Sequence, residues 1–294
     1  MPECLDNYPW RSIKGCGDLA PAMFKVGDYK NVVLLDGTEM QFRIIGFNHD
    51  KMSSGMLAPI TWEAIECLRS RFSWNARGTN EGSWENTRLR RQMNDLNGDI
   101  YSLLPEDLRE VITPVIKQTA DTYNGENRII ETEDKLWIKS EKELFGRSIL
   151  SAPGEGHWYE WYRQEDVPWT KQRGGSNEYT MLRSPYLHDR SYFCLVDRNG
   201  IANYDSANNA NGVAPDFATQ KLEQVNHSSL KKVNNDLCER RDTSRDESPK
   251  QPSDADARTL LAWWEDIVLN LISCVLAKQF SRTRFHNCTE GEQL

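Results

Sequence analysis

Apolar runs broken by turn dipeptides organise the chain as far as Phe217. Val32, Val33, Leu34 and Leu35 lead into Asp36-Gly37, and Met40, Phe42, Ile44 and Ile45 follow. An Asp-Gly pair between apolar runs predicts a β-hairpin, because the glycine supplies a positive φ. Over residues 59–72, Ile60, Ala64, Cys67, Leu68 and Phe72 fall at helical spacing, with Thr61 near the start as a cap, and predict a helix. Residues 81–93 and 107–112 read as shorter helices, divided by Asn97-Gly98 and Pro105. Residues 115–120 and 135–138 alternate like strands.

Further on, His157, Trp158, Tyr159, Trp161, Tyr162 and Trp169 form an aromatic loop among Gly, Pro and charged residues. Such rings stack on sugars or anchor interfaces, but more often they close a core in a fold with little regular structure. Phe193-Cys194-Leu195-Val196 then enters Asp197-Arg198-Asn199-Gly200 and leaves through Ile201-Ala202-Asn203-Tyr204, a second hairpin, for which a type I′ turn is expected.

After Phe217 the texture changes, with no aromatic residue until Trp263. Residues 240–256 are polar, Pro-containing and of mixed charge, a composition that buries too little surface to fold. Residues 260–280 are strongly apolar and helical in pattern. Glu265 and Asp266 near their start suit a helix that contacts a partner or a membrane surface better than a transmembrane span. The expected organisation is a lead-in over 1–19, a domain over 20–217, a linker over 218–258, and an amphipathic helix with its tail over 259–294.

Composition narrows the function classes. The 294 residues carry a net charge of −8, with only 38% hydrophobic residues but ten Trp. Aromatic richness argues against wholesale disorder, and the acidic balance argues against a nucleic-acid binder that neutralises phosphates. Up to Phe217 there are 25 basic and 32 acidic residues, against 11 and 12 after it, so the acidity belongs to the aromatic-rich domain. The seven cysteines show no CxxC and no zinc spacing with histidine. Met1 to Leu5 lacks the basic start and apolar run of a signal peptide, and the expected location is the cytoplasm or a phage particle.

Met181-Leu182-Arg183-Ser184-Pro185, then Phe193 to Gly200, then Gly212-Val213-Ala214-Pro215-Asp216-Phe217 together resemble the C-terminal module of an uncharacterised bacterial and phage family, a domain of unknown function. Phe24-Lys25-Val26-Gly27-Asp28 and Phe42 to His49 resemble that family's opening hairpin, and Gly82-Ser83-Trp84 to Met93 its central helix. Asp134 to Ser140 and Glu143-Leu144-Phe145-Gly146 resemble the segment before its final module. The resemblance implies an α+β, C-type-lectin-like fold, similar to formylglycine-generating enzymes and retroelement-diversified ligand-binding proteins. It would have short antiparallel strands, two or three helices and much irregular structure. An ion pair between Arg183 and Asp134 is one expectation for such folds.

The resemblance also points to a surface. Residues 181–217 contain no Lys, Glu, Gln or Thr, and their polar positions are Asn, Asp, Ser, Tyr, His and Arg. Short polar groups with Tyr anchors lose little rotamer entropy on binding. In retroelement-diversified proteins similar residues line the ligand face. The positions implied here are Tyr186, His188, Asp189, Arg190, Tyr192, Asn203, Tyr204, Asp205, Asn208, Asn209 and Asn211. An ordinary hairpin with Asn-rich turns accounts for the same composition.

Catalytic and metal motifs are weaker. The five histidines are spread out, and no HExxH, G-x-S-x-G or P-loop occurs. Formylglycine-generating enzymes use a cysteine pair, whereas Cys194 has no neighbour in its domain and lies in an expected strand, where a buried structural thiol is the default. Asp197-Arg198-Asn199-Gly200 opens like a calcium loop but lacks the downstream Glu. The expectation is therefore a non-enzymatic module without a cofactor or metal, which binds a protein or glycan ligand and no nucleic acid. An enzyme of the formylglycine-generating type and a phage attachment component are the alternatives.

Overall fold

The computed structural model describes residues 1–125 and 128–220. The chain divides into two compact units, residues 1–220 and 221–294. Apart from residues 218–220, the expected linker and C-terminal helix lie outside the described residues.

Before the first strand, helix α1 (Trp10–Cys16) lays Trp10 and Ile13 into the core, and α2 (Ala20–Met23) buries Ala20. Strands β1 (Tyr29–Val33) and β2 (Glu39–Phe47) form the expected first hairpin, with Val33 opposite Glu39 and Gly37 at φ +80°. Ile44 and Ile45 are both buried, although neighbours in a strand face opposite ways. A bulge between Ile44 and Gly46 accompanies this, and Ile45 packs into a second core.

The helix expected over 59–72 is not formed. Residues Ile60–Ala64 are strand β3, paired to β2 on one side. All five residues are buried because both faces and both edges of this strand are covered. Burial on both faces erases the period-2 signal, and the polar members Thr61 and Glu63 then leave a helical spacing by coincidence. Cys67 and Leu68 are buried as well, but in a loop whose amides bond to the Gln172 and Val213 carbonyls.

The middle of the chain is built from short pieces. Helix α3 (Arg88–Asn94) starts at Thr87, whose hydroxyl accepts from the Arg90 N–H, and α4 (Glu106–Arg109) follows. The residues of the expected 81–93 helix before Thr87 are instead a 3₁₀ turn, Trp84–Asn86. Strand β4 (Ile112–Thr113) precedes the hairpin of β5 (Val115–Asp121) and β6 (Arg128–Asp134), and β7 is Leu136–Trp137. Helix α5 (Glu141–Phe145) carries a capping box between Ser140 and Glu143 and ends at Gly146, φ +74°.

The final module contains β8 (Lys171–Arg173) paired to β9 (Ser176–Glu178), then β10 (Thr180–Pro185), β11 (Tyr192–Val196) and β12 (Ala202–Ser206). Strands β10, β11 and β12 make an antiparallel three-stranded sheet. The second hairpin stands as expected, but its turn is not type I′. Arg198 and Asn199 keep negative φ and only Gly200 is positive, the type I turn with a glycine bulge that three-residue hairpin loops favour.

Strand β13 (Asp216–Thr219) returns to the first sheet and pairs with β3, β4 and β7. It places Phe217 against Trp10, Phe42 and Trp62 at ring separations of 5.2–6.2 Å. The result is an α+β domain of antiparallel sheets with its last strand inside the central sheet.

Candidate ligand-binding face

Register divides the eleven residues singled out in the sequence. Cys194 lies opposite Tyr204 and Tyr192 opposite Ser206, so Tyr192 and Tyr204 share one face of the three-stranded sheet. That face packs on the second core around Leu182, Cys194 and Val196, with Tyr186 and Ala202 at its margin. Phe193 lies opposite Asp205 and Leu195 opposite Asn203, so Asn203 and Asp205 stand on the other face, where Phe193 stacks on Trp74 at 5.4 Å.

On the first face the rings gather. Tyr186 and Tyr204 stack with centroids 4.1 Å apart and planes 14° apart. Tyr192 meets Tyr204 edge-on at 5.4 Å and Tyr186 at 6.4 Å, and His188 meets Tyr186 at 5.6 Å. Tyr204 is 43% exposed, so the cluster is open to solvent. Burial of part of its surface and the nearby Tyr204 push the Tyr186 hydroxyl pKa up.

The hairpin loop 186–192 that carries these rings is stapled from outside. The Tyr186 N–H bonds to the Tyr192 carbonyl and the Leu187 N–H to the Leu150 carbonyl. Asn80, almost fully buried, donates its backbone N–H to Arg190 O and its side-chain amide to Asp189 O and Tyr192 O. The Asp189 carboxylate accepts from the Ser191 N–H. Sequence reading missed Asn80, since it lies more than a hundred residues upstream and no local pattern marks it.

The remaining residues mostly build turns. The Asp205 carboxylate accepts from the Asn209 and Asn211 amides at 2.7 and 2.9 Å, and Asn211 is buried with its backbone paired to Phe72. Asn208 accepts from the Ser206 hydroxyl. Asn209 and Asn211 are therefore scaffold, and the structure brings together on the aromatic face only Tyr186, His188, Tyr192 and Tyr204, with Asp189 and Arg190 on the loop between them.

Below this face lies a chain of buried charge. Arg183, on β10, is fully buried and holds Glu143 through both terminal guanidinium nitrogens, with further bonds to Thr119 Oγ1 and to the Ile138 and Gln118 carbonyls. Its expected partner Asp134 pairs instead with Arg90 and accepts from the Trp84 indole. Burial opposes charge on Glu143, but Arg183 and Lys117 overcome this and hold its carboxyl at about 2. The Lys117 ammonium spends its three protons on Asp50, Glu143 and Tyr159, at 2.6, 2.6 and 3.0 Å.

Next to Arg183, the Ser184 hydroxyl bonds to the Glu155 carboxylate, which also accepts from the Ala120 N–H. Burial pushes the Glu155 carboxyl up to about 7, against these hydrogen bonds and with Glu141 adding to the rise. A second buried cluster joins Glu63 to Arg43, Lys139, Lys171 and the Tyr162 hydroxyl. Burial, with Arg43 and Lys139 nearby, lowers the Lys171 amine to about 7 despite Glu63.

A cavity of about 170 Å³ opens over the Lys117 cluster, with His49 and His157 among its lining residues. On its wall the Lys117 ammonium is already paired with the Asp50 and Glu143 carboxylates. The aromatic loop splits as core and surface. Tyr159 and Tyr162 are buried and Trp169 is 41% exposed. Cys194 is buried within β11, and burial raises its thiol pKa well above the ordinary value. Among the described residues, no three His, Cys, Asp or Glu side chains are grouped to hold a metal, and no helix is long and apolar enough to cross a membrane.

The family model of a domain of unknown function, DUF6273, matches residues 58–221, more than half of the chain and the whole stretch from β3 to β13. The chain belongs to the DUF6273 family. Neither the curated proteins nor the solved structures contain a match to it. The aromatic face, its Asn80 staple and the Arg183–Glu143 pair all lie inside the matched DUF6273 region.

Proposed function

We propose that this DUF6273 domain is a C-type-lectin-like recognition module that binds a ligand without chemical turnover, through the tyrosine face of its three-stranded sheet. One observation carries the reading. Three tyrosines from two strands and a loop converge at a solvent-open surface, and Tyr186 and Tyr204 are stacked in parallel. Tyrosines supply contact area at small entropic cost, and a loop held by Asn80 and Leu150 meets a partner already ordered.

The sheet beneath supports this role. The sheet rests on the second core through Leu182, Cys194 and Val196, while β12 stays partly exposed, so its outer side chains can vary without refolding the domain. The return of β13 to the central sheet agrees with a lectin-like closure of the domain by its last strand. The burial of Cys194 favours a structural thiol over oxidative cysteine chemistry.

A screen of immobilised glycans and peptides with the full chain tests the reading. Binders of the wild type are expected to lose at least tenfold in affinity with Tyr204→Ala, while circular dichroism stays unchanged. Binders that do not respond to Tyr204→Ala or Tyr186→Ala would remove the aromatic face from the proposal.

A further inference from the structure

The loop that carries the tyrosines also carries a cation with unspent hydrogen bonds. The Arg190 guanidinium lies over the Tyr123 ring, 5.1 Å from its centroid, at the tip of the β5–β6 hairpin. Among the described residues it has no hydrogen-bond acceptor, so its planar fork of N–H donors is turned to solvent and braced by the ring. A stacked guanidinium loses less freedom on binding than a free one, and its geometry matches a carboxylate held by two parallel hydrogen bonds.

Nearby acids are already engaged. Asp189 accepts from the Ser191 N–H, and Asp121 accepts from the Tyr123 N–H with Arg128 beside it at 3.9 Å. Only Ser191 separates Arg190 from Tyr192, a backbone span of at most about 7 Å. One short loop thus carries the cation together with Tyr186, His188 and Tyr192 of the cluster.

The sheet edge narrows the class of that ligand. Strand β12 ends the three-stranded sheet, and Ile201, Asn203, Asp205 and Ala207 direct their backbone toward β11. The outward N–H groups of Tyr204 and Ser206 are already taken by the side-chain oxygens of Asn203 and Asp205, each at 2.8 Å. An extended peptide that added a strand here would have to displace both. A pyranose needs no backbone ladder. Its C–H face carries partial positive charge and suits the negative face of an exposed tyrosine ring.

We infer that the face recognises an acidic glycan, with a sugar ring on the Tyr186–Tyr204 stack and its carboxylate on Arg190. The inference rests on the recognition role proposed above and assigns it a ligand class. Asn203 and Asp205, taken from the sequence as contact residues, act instead as guards of the strand edge.

Calorimetric titration of the full chain with oligogalacturonate, oligomannuronate and hyaluronan hexamers, with neutral maltohexaose and chitohexaose, and with a Glu-rich hexapeptide separates the outcomes. At least one uronate hexamer is expected to bind tenfold or more tightly than the neutral hexamers. Arg190→Ala and Arg190→Lys abolish that preference, the lysine variant because it keeps the charge but not the fork. Tyr204→Ala weakens every bound sugar. Equal binding of neutral and acidic hexamers, tighter binding of the peptide, or no binding by any hexamer overturns the ligand assignment. If the neutral sugars or the peptide bind through Tyr204, the recognition role survives that failure. If bound probes ignore Tyr204, the role itself falls.

Discussion

Glu155→Gln should change how stability depends on pH more than it changes stability at any one pH. The Glu155 carboxyl is fully buried, and its immediate partners are the Ser184 hydroxyl and the Ala120 N–H rather than a cation. Its pKa rises from the ordinary 4.5 to about 7, so between those values the folded protein binds a proton that the unfolded chain has released. Stability from this group is therefore complete below about pH 4.5 and declines as pH rises toward 7. The rise corresponds to roughly 3 kcal/mol at about 1.4 kcal/mol per pH unit. Glutamine keeps the shape and hydrogen-bonding capacity but never ionises. Urea unfolding followed by tryptophan fluorescence at pH 5, 6, 7 and 8 reads the difference directly. The variant should gain on the wild type with each step, by about 2.5 kcal/mol from pH 5 to pH 8. Asp216 and Lys171 titrate in both proteins and cancel in that difference. Parallel stability curves from pH 5 to 8 would refute the argument that burial outweighs the nearby Arg183 and protonates Glu155.

Arg183→Met leaves Glu143 buried with Lys117 as its remaining cation, and the expected cost is about 3–5 kcal/mol in denaturant unfolding at neutral pH. Asn80→Ala removes two side-chain bonds to the 186–192 loop. It should cost about 1–2 kcal/mol and speed amide hydrogen exchange in that loop, while exchange in β3 and β13 speeds by no more than the global loss of stability. Gly146→Ala sets a side chain at φ +74° with its Cβ 2.6 Å from the Trp158 ring, and thermal unfolding should show a loss of about 1–3 kcal/mol.

Both hairpins were legible in the sequence because their information is local. Asp36-Gly37 and Asn199-Gly200 place a glycine where the chain needs positive φ, at +80° and +84°. The apolar runs on each side then have only one compact way to pair. The tyrosines of the aromatic face were legible too, since composition alone separated residues 181–217 from the rest of the chain. What composition could not do is sort them by face. It took the register of β11 against β12 to put Tyr192 and Tyr204 on one side and Asn203 and Asp205 on the other.

The sequence by itself determined which segments turn, where the aromatic-rich domain changes to a different texture, and which loop presents tyrosines. Each of those follows from backbone sterics or side-chain chemistry within a few residues. Only the tertiary structure decided that residues 60–64 are a strand, because their covering by β2, β13 and the two cores hides every periodicity. Likewise it paired Arg183 with Glu143 rather than Asp134, and stapled the 186–192 loop with Asn80. Buried charges and buried amides find partners by proximity in space, and between residues 40 to 112 apart in sequence that proximity is a property of the folded chain.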